Sequence, residues 1–150
     1  MTQIDFNQFA TDIKTWGVEL GFQEVSIADV DLSDHEPHLK AWIEKNYHGA
    51  MSYMADNHDK RCHPEQLVPG TIRVICARMD YAIDSQDSLT SMENTGKAYV
   101  SRYARGRDYH KLIRKRLQKL ATRIKEEAGP FGYRAFVDSA PVLEKAIAEQ

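Results

Sequence analysis

The stretch running from Asp108 to Gly129-Pro130 constrains the chain more than any other. Tyr109, Leu112, Ile113, Leu117, Leu120, Ala121 and Ile124 recur at intervals of three and four, one apolar stripe along a long helix. Gly129-Pro130 stops it, because glycine accepts the left-handed turn and proline cannot continue the ladder. A stripe of this kind has to be buried against a second layer. The opposite face is unusual: Arg107, Lys111, Lys115, Lys119 and Arg123 recur every four residues. Like charges at that spacing repel by a few tenths of a kcal/mol per pair, roughly 1 kcal/mol over the ladder. Cations at the helix start and Glu126-Glu127 at its end also oppose the helix dipole.

Charge distribution sharpens the point. From Lys97 to Lys125 there are eleven Lys and Arg against one acid, Asp108, although the whole chain carries a formal net charge of −2. Concentrated positive charge is the footprint of a polyanion partner. A phosphate-backbone track along Arg105, Arg107, Lys111, Arg114, Lys115, Lys119 and Arg123 fits that footprint. The plainer alternative is a solvated face in which Glu126 and Glu127 pair back to Arg123.

The remaining elements follow from periodicity and punctuation. Phe6, Phe9, Ile13, Trp16 and Leu20 mark a helix ended by Gly21. Residues 23–29 alternate as a short strand. Ser33 with Glu36 has capping-box spacing ahead of Leu39, Trp42 and Ile43. A Met/Tyr-rich turn, Met51 to Met54, precedes a loop with short helical turns over 58–70. Strands are expected at Ile72–Met79, Lys97–Arg102 and residues 132–138, a polar irregular excursion over 83–95, and a last helix opening near Pro141 and still running at Gln150. Strands alternating with helices over 150 residues, 42% of them apolar, predict a single α+β (mixed α/β) domain with a central sheet flanked by helices.

Several chemistries lack their motifs. Six histidines and Cys62 show no CxxC, HxxxH or HExxH spacing, so no metal site is expected in this stretch. The closest pair, His35 and His38, straddles Glu-Pro at what reads as an exposed helix start. No GxSxG setting or glycine-rich phosphate loop is present. Two cysteines make no disulfide framework, no apolar run approaches the roughly 18 residues a membrane helix needs, and the first residues lack a leader's apolar block. A cytoplasmic protein without a membrane partner is expected. Asp138 is ambiguous on spacing alone: it closes an expected strand where α/β proteins gather their sites, yet Asp-Ser before a helix is also a common cap.

Three longer stretches add up to a family. They are Tyr47-His48-Gly49-Ala50-Met51 with Tyr53-Met54, the run from Tyr103 to Lys111 (YARGRDYHK), and the run from Phe136 to Glu144 (FVDSAPVLE). With Arg61 and Pro69-Gly70, the chain resembles the N-terminal part of the epoxyqueuosine reductases, over essentially all 150 residues. The resemblance implies a cobalamin-dependent iron–sulfur oxidoreductase of queuosine biosynthesis, which reduces epoxyqueuosine to queuosine at the wobble position of tRNA. Cob(I)alamin attack on the epoxide is implied, with two [4Fe–4S] clusters supplying electrons. It implies proton donation by Asp138, substrate-pocket positions at Asp108 and His110, and cobalamin contacts at Arg61, Ser101 and Asp138; Ser101 stands where some relatives carry Cys. A corrin lying over Asp138 would favour its neutral form by desolvation. The family's ferredoxin-like cluster ligands have no counterpart here, so residues 1–150 are expected to be a cobalamin- and substrate-facing fragment, inactive alone and monomeric. Among the partners, tRNA is expected, and the basic helix is its candidate track. A non-catalytic RNA- or protein-binding module of the same fold is the alternative.

Overall fold

The computed structural model describes residues 4–81 and 88–150. Its elements in chain order are α1 (Phe6–Glu19), β1 (Glu24–Ala28), α2 (Glu36–Glu44), α3 (Tyr53–Asp56), α4 (His58–Cys62), α5 (Pro64–Leu67), β2 (Val74–Arg78), α6 (Ser88–Met92), a 3₁₀ turn (Arg102–Ala104), α7 (Tyr109–Ala128) and α8 (Glu144–Ala148). The first expected helix forms as read. Asp5 caps it by accepting from the Asn7 and Gln8 amides. At the other end Phe22 N–H reaches Gly17 O and Gly21 N–H reaches Val18 O, a Schellman closure with Gly21 at φ +87°.

β1 and β2 pair antiparallel, Val25 opposite Ala77 and Ile27 opposite Ile75. Alternation sends the two faces to two cores. Val25, Ile27, Ile75 and Ala77 face α1 and α7, packing with Ile13, Trp16, Phe22, Leu120 and Ile124. Ala28, Val74 and Cys76 face the other way, onto Leu32, Val142, Ala146 and Ile147. A short sheet between helical layers is the mixed α+β arrangement expected. The sheet of the described residues has two strands, β1 and β2.

The two further strands do not form. Residues 131–138 leave Gly129 and run back along α7: Gln118 Nε2 donates to the Tyr133 hydroxyl, and Asp138 meets Tyr109 and His110 at the helix start. Eight or nine helical residues span about 12–14 Å, and five extended residues span about 16 Å. The segment is stretched out, so its sequence reads as strand, but a helix face rather than a ladder lies beside it. Lys97–Arg102 instead closes on itself, with Arg105 Nε donating to Val100 O and the Arg105 guanidinium 5.1 Å from the Tyr99 ring centroid.

Smaller corrections concern helix starts. Ser33 does not cap α2; the N-cap position is His35 without a side-chain bond, Pro37 sits in the first turn, and the Ser33 amide donates to Asp31. α8 starts at Glu144, with Leu143 at its cap, three residues beyond Pro141, and ends at Ala148. Leu112, counted in the α7 stripe, is 46% exposed. Of the polar stretch 83–95, residues 83–87 lie outside the described residues and Ser88–Met92 form α6.

α1 approaches β1 closely because Gly17 has no side chain. A Cβ there would lie 2.2 Å from Val25 Cγ2. Alanine gains about 1 kcal/mol of helix propensity, but overpacking costs about 1–3 kcal/mol. Gly17→Ala is therefore expected to lower the unfolding midpoint, whereas in a Val25→Ala background the same change should raise it; denaturant titration of the four proteins checks the reversal.

Candidate active site

Asp108 is the N-cap of α7, its Oδ1 accepting from the His110 amide at 3.0 Å. The same oxygen lies 2.9 Å from His110 Nδ1. On the far side of the ring, His110 Nε2 lies 2.7 Å from Asp138 Oδ1. Tyr109 donates its hydroxyl to Asp138 Oδ2 and stacks on the His110 ring, centroids 4.2 Å apart and planes at 23°. Tyr103 meets Tyr109 edge-on at 6.4 Å. The result is a connected chain, Asp108–His110–Asp138, braced by two tyrosines.

Asp138 is delivered to this chain by an uncommon backbone. Its φ is +40°, in the left-handed region that Asp tolerates better than most residues but still at a cost. Such outliers persist where the surroundings over-determine them. Neither Asp138 nor Ser139 caps α8, whose cap position is Leu143, so the plainer account of Asp138 finds no support in the geometry.

Electrostatics follow the contacts. Hydrogen bonding to Asp108, then the nearby Asp138 carboxylate, holds the His110 imidazole above its ordinary 6.5 against some desolvation. The same His110 bond holds Asp108 below the ordinary carboxylate range. Donation to Asp138 pushes the Tyr109 phenol up to about 12. Glu144 stands beside Asp138: shielding from water and the Asp138 charge push its carboxyl up, while the Asp138 backbone N–H that it accepts works the other way.

Asp138 also lines an open cleft of about 640 Å³, a volume typical of small-molecule sites. Its walls are His35, His38, Leu39 and Trp42 from α2, Arg61 from α4, and Ala140, Val142, Leu143 and Glu144 ahead of and opening α8. Leu143 N–H to Arg61 O, 3.2 Å, joins the two sides. Arg61 Nε is a buried side-chain atom without a hydrogen-bond partner among the described residues, and the guanidinium lies 6.0 Å from the Tyr53 ring centroid.

Of the residues expected to act, Asp108, His110 and Asp138 come together, and Arg61 shares the cleft with Asp138. Ser101 is exposed beside the Arg102–Ala104 turn and does not line that cleft. Arg107, Lys111, Arg114, Lys115 and Lys119 are exposed. Arg123 is engaged at once by Glu19, at 2.6 Å, and by the Trp16 ring, at 4.5 Å, rather than by Glu126 or Glu127. A four-residue step advances a helix by about 40° beyond a full turn, so the ladder drifts sideways and its last member reaches α1. Tyr109 and Glu144 went unnoticed as site residues; both lie inside the RDYH and VDSAPVLE motifs, which was the available signal. Among the described residues no group of three or more His, Cys, Asp or Glu is placed to hold a metal ion, and no helix is long and apolar enough to cross a membrane.

Fold and cleft define a small helix-and-strand domain in which a carboxylate–imidazole–carboxylate chain ends at a solvent-open cleft. A family model described as epoxyqueuosine reductase QueG, DUF1730, matches residues 61–139. An epoxyqueuosine reductase of Pseudomonas aeruginosa is 63% identical over 143 residues, 95% of this chain and 40% of that protein. Those of Vibrio cholerae and Escherichia coli are each 50% identical over 147 residues, 98% of this chain and 40% and 39% of theirs. A crystal structure of a selenomethionine-labelled epoxyqueuosine reductase superposes with a TM-score of 0.74 at 16% identity, over 97% of this chain and 38% of that one, a likeness of fold. The chain belongs to the epoxyqueuosine reductase QueG family, and spans about 40% of the length of these curated relatives.

A pH dependence follows from the His110 contacts. A folded-state value raised above 6.5 means that the contacts stabilise fully below pH 6.5 and fade as pH rises through the folded-state midpoint. The melting-temperature difference between the protein and His110→Gln should therefore be largest on the acid side of neutrality, while the carboxylates stay ionised, and shrink above it.

Proposed function

We propose that residues 1–150 are the cobalamin- and substrate-facing domain of an enzyme that reduces epoxyqueuosine to queuosine at the wobble position of tRNA. Asp138 acts as its proton donor. The observation that carries this reading is the placement of Asp138 in the lining of the cleft, which it shares with Arg61, bonded to both His110 and Tyr109. Membership of the epoxyqueuosine reductase family supports the substrate class.

Reducing an epoxide to an alkene takes up two electrons and two protons and releases water. The oxygen is a poor leaving group until it is protonated, so a positioned acid at the cleft contributes directly to the barrier. Asp138 presents its carboxyl there, fixed by two donors and by its own left-handed backbone. Arg61 is suited to hold a cofactor: its unpartnered, buried Nε is a donor waiting for an acceptor, and cobalamin carries amide and phosphate acceptors on its periphery. When bound, cobalamin supplies the reduced cobalt centre that opens the epoxide. The resemblance puts Asp108 and His110 at substrate-pocket positions; they do not line this cleft, and His110 reaches it through its contact with Asp138.

The clusters that supply the electrons, two [4Fe–4S] groups, are assigned to a ferredoxin-like part outside these residues. Cys62 is buried, Cys76 is half-buried, and burial raises both thiols, the opposite of what a thiolate ligand needs. We place the enzyme in the cytoplasm as a monomer, with tRNA on the exposed face of α7. Lys111, Arg114, Lys115 and Lys119, with Arg105 and Arg107 ahead of the helix, form the track. Arg123, held by Glu19 and Trp16, contributes to the fold rather than to phosphate binding.

In the complete protein, Asp138→Asn should cut turnover on epoxyqueuosine-containing tRNA by about 10²–10⁴-fold while leaving tRNA affinity intact. Unchanged turnover would overturn the assignment and favour a binding module. For the track, Lys115→Ala should weaken tRNA binding and reduce the slope of log affinity against log salt by about 1. Arg123→Ala should leave that slope nearly unchanged and lower the unfolding midpoint.

A further inference from the structure

An acid at the rim of this cleft has to be resupplied with a proton after each delivery. We infer that His110 supplies it: the Nε2 proton passes to Asp138 Oδ1 when the cleft is covered, while Asp108 holds the ring throughout. The inference rests on Asp138 being the donor and adds the source of its proton.

The geometry is that of a short, directed transfer. His110 Nε2 and Asp138 Oδ1 are 2.7 Å apart, and Nδ1 is pinned to Asp108 Oδ1 at 2.9 Å. The Tyr109 ring stacked at 4.2 Å fixes the imidazole plane. Both ring nitrogens thus face carboxylates, which favours the imidazolium while the cleft that Asp138 lines is open, and the His110 side chain is 41% exposed behind it. Covering the cleft changes the balance. An ion pair taken out of water loses more solvation than a neutral pair does, and moving one proton from Nε2 to Oδ1 converts imidazolium and carboxylate into imidazole and carboxylic acid. The net charge of Asp108, His110 and Asp138 stays at one negative on both sides of the step. The other charged or titratable groups nearby are Lys111 beside Asp108, Tyr109 on Oδ2, and Glu144 beside Asp138.

The carboxyl torsion of an aspartate is soft, so a turn about it presents the new proton to the epoxide oxygen as the C–O bond breaks. Asp138 is then a carboxylate again and His110 a neutral imidazole that still donates from Nδ1. Reprotonation of Nε2 from water resets the pair. A second delivery turns the hydroxyl into water as the alkene forms, with the two electrons coming from the reduced corrinoid. His110 and Asp108 are thus positioning residues that act through Asp138.

The test uses the complete protein. His110→Gln should lower kcat by about 10²-fold with KM unchanged, flatten the limb of the kcat–pH profile set by the imidazole, and His110→Ala should regain part of its turnover with added imidazole. Independently of turnover, the His110 ring resonances should titrate at lower pH in Asp108→Asn and in Asp138→Asn. A His110→Gln enzyme that keeps its kcat and pH profile beside an inactive Asp138→Asn enzyme overturns the relay and leaves the donor standing. A rise in KM alone would make His110 a substrate-binding group and also overturn it. Full turnover by Asp138→Asn removes the donor, and the relay with it.

Discussion

Asp108 Oδ1 is the atom on which the site depends. It accepts the His110 amide that opens α7 and it holds the His110 ring. Forming the first turn of the longest helix and aiming the imidazole are therefore one event. The remaining anchor is Asp138, brought back to that helix start by an extended segment lying along α7 and kept there by His110 and Tyr109. A strand in that place would have spent its backbone on a ladder; lying against a helix, it delivers a side chain instead.

The same helix divides its labour by face. Leu120 and Ile124 are buried against α1 and the sheet, and Arg116 donates to Gly21 O across the joint that closes α1. The positive ladder runs opposite, where like charges repel and nothing in the packing rewards their order. Its last member has rotated far enough to meet Glu19 and Trp16 and joins the fold. The earlier cations are exposed, which is where a polyanion can reach them.

Much of this was legible in advance. Apolar spacing located α1, β1, β2 and α7, and Gly21 and Gly129 ended the two helices, both with positive φ. The family resemblance singled out Asp108, His110 and Asp138 within the long motifs and Arg61 outside them, and the fold brings the first three into one chain of contacts. Tyr109 and Glu144 were hidden because each has an ordinary local role: one sits in an apolar stripe and the other opens a helix. Trp42, His35 and His38 gave no sign of lining a cleft, since a pattern on α2 says which face is apolar but not what stands opposite it.

The amino-acid order alone determined which segments coil, where they stop, and that positive charge gathers on one helix. These are local matters, set by backbone sterics, capping and the 3.6-residue period. Tertiary structure decided that residues 131–138 pair with a helix rather than a strand, that Asp138 takes a left-handed backbone, and that His110 lies between two carboxylates. Period-two extension looks alike whichever partner lies beside it, and a contact between residues 28 apart in sequence exists only once α7 and the returning segment have packed.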